Sequence, residues 1–137
     1  MFHINREIKF RVWDSFNHIM YFQNKDGCFE IMGLTIWIGA KWFILHDDRF
    51  KIQQFTGLKD KNNKEIYEGD IVSIDLPGTW KNQEVVFSKN CGAFIFVPQD
   101  GIDGDTAEEK DFILYQHQMK NTVIVGNVFE NPEFLKN

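Results

Sequence analysis

His46-Asp47-Asp48 sets an imidazole beside two carboxylates, the grouping that acid–base catalysis or a bound metal uses. A zinc site needs paired local ligands, such as CxxC or HxxxH. Here His3, His18, His46 and His117 are scattered, and Cys28 and Cys91 stand far apart. The cysteines read as two separate thiols, not as a metal pair or a disulfide. The acidic run DGIDGDTAEEKD, within residues 100–111, suggests calcium. An EF-hand loop, however, wants acids at its first, third and fifth positions and Glu at its twelfth. Counted from Asp103, the fifth position is Ala107 and the twelfth Leu114; counted from Asp100, the third is Ile102. The run therefore reads as a solvated acidic loop, and whether it takes up a cation stays open. No serine sits in a GxSxG elbow, although a dispersed Ser-His-Asp or Cys-His set leaves no local trace.

The most patterned stretch is FTGLKDKNNKEIYEGDIV, Phe55 to Val72. A phosphate loop would open onto a helix with Lys and Ser or Thr after its glycines. Gly57 is followed instead by a charged turn and a strand. The stretch reads as a fold signature: Gly57, Asn63 and Glu68-Gly69-Asp70 as turn residues, Ile66 and Tyr67 as core anchors, and Asp70 capping a turn through backbone N–H groups.

The elements around these residues are mostly strands. The chain has 137 residues, 43% hydrophobic and 26% charged, with 14 Phe and 4 Trp. That length buries a core without metals or disulfides, and the aromatic content suits pleated, half-buried surfaces. Ile8, Phe10 and Val12 alternate with Lys9, Arg11 and Trp13, the pattern of a half-buried strand. Met20–Phe22 and Phe29–Met32 suggest a hairpin about Asp26-Gly27. Leu34–Leu45 suggests strand with a break at Gly39-Ala40. Gln53–Leu58, Ile71–Asp75, Glu84–Phe87, Gly92–Val97 and Thr122–Phe129 follow as strands, with a type II turn at Leu76–Thr79. Residues 112–119 suit a strand or one helical face. Asn131, Pro132 and Glu133 open a short helix. The expected class is mainly β: a C-terminal SH3-like small barrel over 55–137 and an N-terminal antiparallel sheet or arm over 1–54.

A net charge of −5 argues against strong non-specific DNA binding. A local nucleic-acid surface is still conceivable on small-barrel grounds, with Arg6, Lys9, Arg11 and Trp13 on the first strand, Lys59, Lys61 and Lys64 on the charged turn, and Trp80-Lys81 nearby. The plainer reading is a solvated strand face and an ordinary charged hairpin. Trp37 and Trp42 lie in Leu34–Leu45, which is apolar on both faces: either a buried central strand or a self-association surface. No window is apolar enough to span a bilayer, and MFHINREIKF lacks the form of a secretory leader; the expected location is the cytoplasm.

Three blocks carry a family resemblance: REIKFRVWD (Arg6 to Asp14), QFTGLKDKNNKEIYEGDIV (Gln54 to Val72) and VIVGNVFENPEFL (Val123 to Leu135). Together they resemble the YopX family, small proteins of temperate bacteriophages and prophages. The middle block departs from the family pattern at Asn63, where glycine is common, and Phe55 and Phe129 stand where Tyr is often found. The resemblance implies an SH3-like-barrel fold with flanking elements, oligomeric assembly, and no established enzymatic activity or catalytic residues. No cofactor follows from it. The expected function is a non-enzymatic, homo-oligomeric protein-interaction module directed at a host or phage protein, with single-stranded nucleic-acid binding as the alternative.

Overall fold

The computed structural model describes residues 7–23, 29–38, 40–45, 48–75, 82–98, 113–114 and 116–135. Arg6, Trp80, Cys28, His46, the Leu76–Thr79 turn and the acidic run 100–111 lie outside them. The described chain is built from antiparallel strands: β1 (Phe10–Asp14), β2 (Ile19–Phe22), β3 (Glu30–Met32), β4 (Thr35–Ile38), β5 (Lys41–Ile44), β6 (Phe50–Lys59), β7 (Glu65–Tyr67), β8 (Asp70–Ile74), β9 (Gln83–Ser88), β10 (Ala93–Pro98) and β11 (Thr122–Asn127). Two 3-10 segments, Gln116–Asn121 and Pro132–Leu135, complete it, with no α-helix among the described residues. The sheets run β2-β1-β6-β7, β3-β4-β5 and β10-β9-β8-β11. The mainly β expectation is met.

The chain divides into two compact units, Met1–Phe55 and Thr56–Asn137. In the first, β1 is flanked by β2 and β6, with Val12 opposite both Tyr21 and Ile52. Its core is Val12, Phe29, Ile36, Ile38 and Phe50, with Phe10, Tyr21, Phe43 and Leu45 packed against it. Two sequence expectations fail here. Met20–Phe22 and Phe29–Met32 do not pair: β2 returns on β1 through a tight turn in which His18 takes a left-handed φ of 56°, and β3 pairs with β4. Nor is β1 half-exposed. Arg11 and Trp13, assigned to the wet face, are as buried as Val12. Arg11 Nε donates 2.6 Å to Gln53 Oε1, its cross-strand neighbour on β6, so the charge is covered and satisfied at once.

In the second unit the sheet β10-β9-β8-β11 surrounds a core of Ile66, Val72, Ile74, Val85, Phe94, Phe96, Leu114 and Met119. β9 and β10 form the expected hairpin, with Phe94 opposite Phe87. β11 pairs with β8 through a bulge between Ile124 and Gly126. A Cβ on Gly126 would stand 2.5 Å from Asn131 Oδ1, so glycine is needed for that close approach. The pairings establish an antiparallel four-stranded sheet, a coarser description than an SH3-like barrel. Of residues 112–119, read as strand or helical face, the described ones supply an isolated bridge, Ile113 to Ile95, and part of a 3-10 segment. The C-terminal helix is likewise a single 3-10 turn, Pro132–Leu135.

Candidate functional site

The patterned stretch Phe55 to Val72 behaves as a fold signature, with one change. Thr56-Gly57 is not a turn but a kink inside β6. Gly57 has φ +88°, and the Thr56 hydroxyl donates 2.7 Å to Ile66 O while accepting from Leu58 N. The turn lies at Asn63, which takes the left-handed φ of 66° that Asn tolerates. Gly69 turns the chain at φ 81°, and buried Asp70 accepts a 2.8 Å bond from Tyr67 N. Ile66 and Tyr67 are buried, as anchors must be.

Of the proposed basic face, little is available to a ligand. Arg11 and Trp13 are buried. The Lys9 ammonium pairs with Glu7 at 3.1 Å and sits 4.8 Å from the Phe55 ring centre. Arg6 and Trp80 lie outside the described residues. Lys64 is exposed, and its backbone N–H is spent on Asp60. On the first strand, the described residues therefore offer no open basic platform.

Three other places stand out. The first is the outer face of β3-β4-β5. Cross-strand partners share a face, so Ile36 and Phe43 turn toward the core while Trp37 and Trp42, directly opposite each other with ring centres 5.4 Å apart, turn outward. The neighbouring row pairs Met32 with Thr35 and Thr35 with Ile44. Trp42 is 48% exposed, Ile44 53%, Met32 67% and Leu34, in the β3–β4 turn, 75%. The Leu34–Leu45 segment thus has one face in the core, as a buried strand requires, and an apolar outer face that is open.

The second is a cavity of about 290 Å³ in the first unit, lined by Asp14, Asn17, Tyr21, Ile38, Lys41, Phe43 and Arg49. Asp14 is 1% exposed. Its Oδ1 accepts from Arg49 Nε at 2.9 Å and Phe16 N at 3.0 Å, and its Oδ2 from Asn17 Nδ2 at 2.9 Å and an Arg49 Nη at 3.0 Å. The two-pronged guanidinium, aided by these N–H donors, outweighs burial and lowers the Asp14 pKa to about 2. The guanidinium itself lies 4.5–4.9 Å from the ring centres of Phe43, Phe50 and Phe16. An acid held this firmly ionised is a poor proton donor at neutral pH, and its base strength is low.

The third is a cavity of about 420 Å³ in the second unit, lined by Gly57, Lys59, Asp60, Lys61, Asn63, Met119 and Lys120. Asp60 is buried and accepts three backbone donors: Asn62 N and Lys64 N on Oδ1, each at 2.9 Å, and Ile124 N on Oδ2 at 3.0 Å. Lys61 N donates 3.0 Å to Thr122 O. These bonds bring Lys120 beside Lys59 and Lys61. Sequence reading named the two turn lysines but missed Lys120, about sixty residues on, because nothing local marks that pairing.

Among the described residues no cluster of His, Cys, Asp and Glu is arranged to hold a metal, and no helix is long and apolar enough to cross a membrane. Cys91 is half-buried and a free thiol; Cys28, His46 and the acidic run fall outside the description.

The family model described as YopX protein matches residues 9–136. A solved structure of protein EF1440 from Enterococcus faecalis is similar over 96% of this chain and 100% of its own, with 26% identity and a TM-score of 0.63. A solved structure of protein yopX from Bacillus subtilis is similar over 93% of this chain and 98% of its own, with 20% identity and a TM-score of 0.57; that likeness bears on fold alone. No protein with a curated description matches the chain.

Proposed function

The chain belongs to the YopX family, and from its surfaces we propose that it is a non-enzymatic protein-interaction module that acts as a homo-oligomer. One observation carries the reading: the open outer face of β3-β4-β5, with its Trp37–Trp42 pair and flanking Met32, Leu34 and Ile44. Large contiguous apolar surface is unfavourable in water and is usually covered by a partner. The Trp–Trp pair is the kind of rigid aromatic anchor that dominates interface energetics. The occupant is a second copy. A face whose two outward rows hold tryptophans, Met32, Thr35 and Ile44, with Glu30 the charge at the β3 end, is chemically complementary to itself, as a two-fold interface requires.

The non-enzymatic part of the reading rests on the three buried acids among the described residues. Asp14 is committed to Arg49, Asp60 to three backbone N–H groups and Asp70 to the Tyr67 N–H, so each carboxylate already serves the fold. The phage or prophage setting, the cytoplasmic location and a host or phage protein as a further partner come with the family resemblance and are part of the same proposal. Light scattering tests the assembly. Wild-type protein at micromolar concentration is expected to exceed the mass of one chain, and Trp37→Lys with Trp42→Lys to elute as a folded monomer with a native circular dichroism spectrum and a melting point lowered by the loss of association.

The nucleic-acid alternative loses its first-strand platform, since Arg11 and Trp13 are buried. What remains for it is the lysine group of the second unit.

A further inference from the structure

We propose that the cavity at the end of β6 binds an anion carrying two or more phosphoryl groups, with Lys59, Lys61 and Lys120 as its cationic walls. The inference concerns the second unit and stands independently of assembly through the first.

Charge bookkeeping around the cavity is the starting point. Three lysines line it against one carboxylate, Asp60. That carboxylate accepts the backbone N–H groups of Asn62, Lys64 and Ile124, and its single negative charge offsets only part of the three positive ones. Lys59, Lys61 and Lys120 form no ion pair among the described residues. Like charges held close on a shared concave wall repel and concentrate a positive potential, which draws counter-charge from solution. This happens in a chain whose net charge is −5, so the potential is local and not a property of the whole surface.

The lysines are also placed, not merely near one another by chance of sequence. Lys59 ends β6 and Lys61 opens the turn after it. Lys120 closes the 3-10 segment that leads into β11. The bonds Lys61 N to Thr122 O and Ile124 N to Asp60 Oδ2 clamp the two segments together, and Thr122, fully buried, ties its hydroxyl back to Gln118 O at 2.9 Å. Asp60 thus serves as a clip that sets the geometry of the lysines.

The rest of the lining fits a phosphoryl ligand. Gly57 leaves one wall without a side chain, and a Cβ there would meet nothing within 4 Å. Asn63 contributes an amide that can donate to phosphate oxygens. Met119 is buried and gives an apolar floor. A volume of about 420 Å³ exceeds what a single phosphate fills and suits a di- or triphosphate group. Lysine ammoniums serve as point charges for such groups. The same chemistry comes from two sources, a free oligophosphate or nucleotide and the phosphodiester backbone of a single strand.

The test is an amide-shift NMR titration of the full chain with tripolyphosphate and, separately, with a thymidine oligonucleotide. Tripolyphosphate is expected to shift Lys59–Asn63 and Lys120, with affinity falling as salt rises. Lys59→Gln with Lys61→Gln and Lys120→Gln should weaken binding at least about tenfold, while Lys64→Gln, an exposed lysine outside the lining, leaves it unchanged. Oligonucleotide binding at the same residues would make the natural source a nucleic acid. Binding of tripolyphosphate alone would make it a free phosphorylated compound. Absence of shifts with either probe overturns the proposal. So does binding that Lys64→Gln weakens as much as the triple variant does.

Discussion

The two units leave different things unfinished. In the first, the buried acid at the cavity is settled internally: Asp14 and Arg49 hold each other, three phenylalanine rings lie against the guanidinium, and Lys41 on the same lining is exposed. What stands open there is apolar, the outer face of β3-β4-β5. Among the described residues of the second unit, the exposed large apolar side chains Phe87, Val125 and Phe134 fall on three different elements, and what stands open together is charge, three lysines around one cavity. Both cavities contain a buried aspartate, but its partner decides what the site can still do. A guanidinium neutralises Asp14 and ends the matter. Backbone N–H groups hold Asp60 in place, and its one negative charge leaves the three lysines of the lining in excess.

Breaking the first arrangement has the largest expected effect. Arg49→Met leaves Asp14 buried without its cation and removes the guanidinium from three rings, an expected loss of about 3–5 kcal/mol in urea unfolding. Next comes Asp60→Ala, which strands three backbone donors. The expected cost is about 2–3 kcal/mol, together with loss of the lysine geometry and of phosphate binding. The comparison sharpens with pH. Asp14 has its pKa lowered from 3.8 to about 2, so its contribution is present above the unfolded value and lost as pH falls through the folded one. Acid unfolding followed by circular dichroism should show about 2 kcal/mol of stability disappearing between roughly pH 4 and pH 2, and Arg49→Met should abolish that step. The smallest effect belongs to Glu84 on β9, whose pKa burial raises. Its ionised form opposes folding, so Glu84→Gln should raise the urea midpoint slightly at pH 7 and not at all in acid.

These contrasts also mark what the sequence could reveal. The β9–β10 hairpin, the Asn63 turn and the Gly69-Asp70 corner are local, and each is written in period-2 alternation or in a residue that accepts a left-handed backbone. The Trp37–Trp42 surface was half legible: alternation shows which residues share a face, but not which face meets water. Strand β1 misled because its polar side is covered, and a buried Arg11 bonded to Gln53 looks, in sequence, like an exposed one. Asp26-Gly27 drew β2 toward β3, while the pairing went to β1 through a turn centred on residues with no strong signature. The Asp14–Arg49 pair and the joining of Lys120 to Lys59 and Lys61 are long-range, and no local pattern encodes them.

The most direct test of the account is multi-angle light scattering on the wild-type chain and on Trp37→Lys with Trp42→Lys, at the same micromolar concentration and with thermal unfolding measured alongside. The proposed assembly predicts an oligomer for the wild type and a folded monomer for the variant, because it places the second copy on the exposed tryptophan face. A wild type that runs as one chain, or a variant that still assembles, would contradict it.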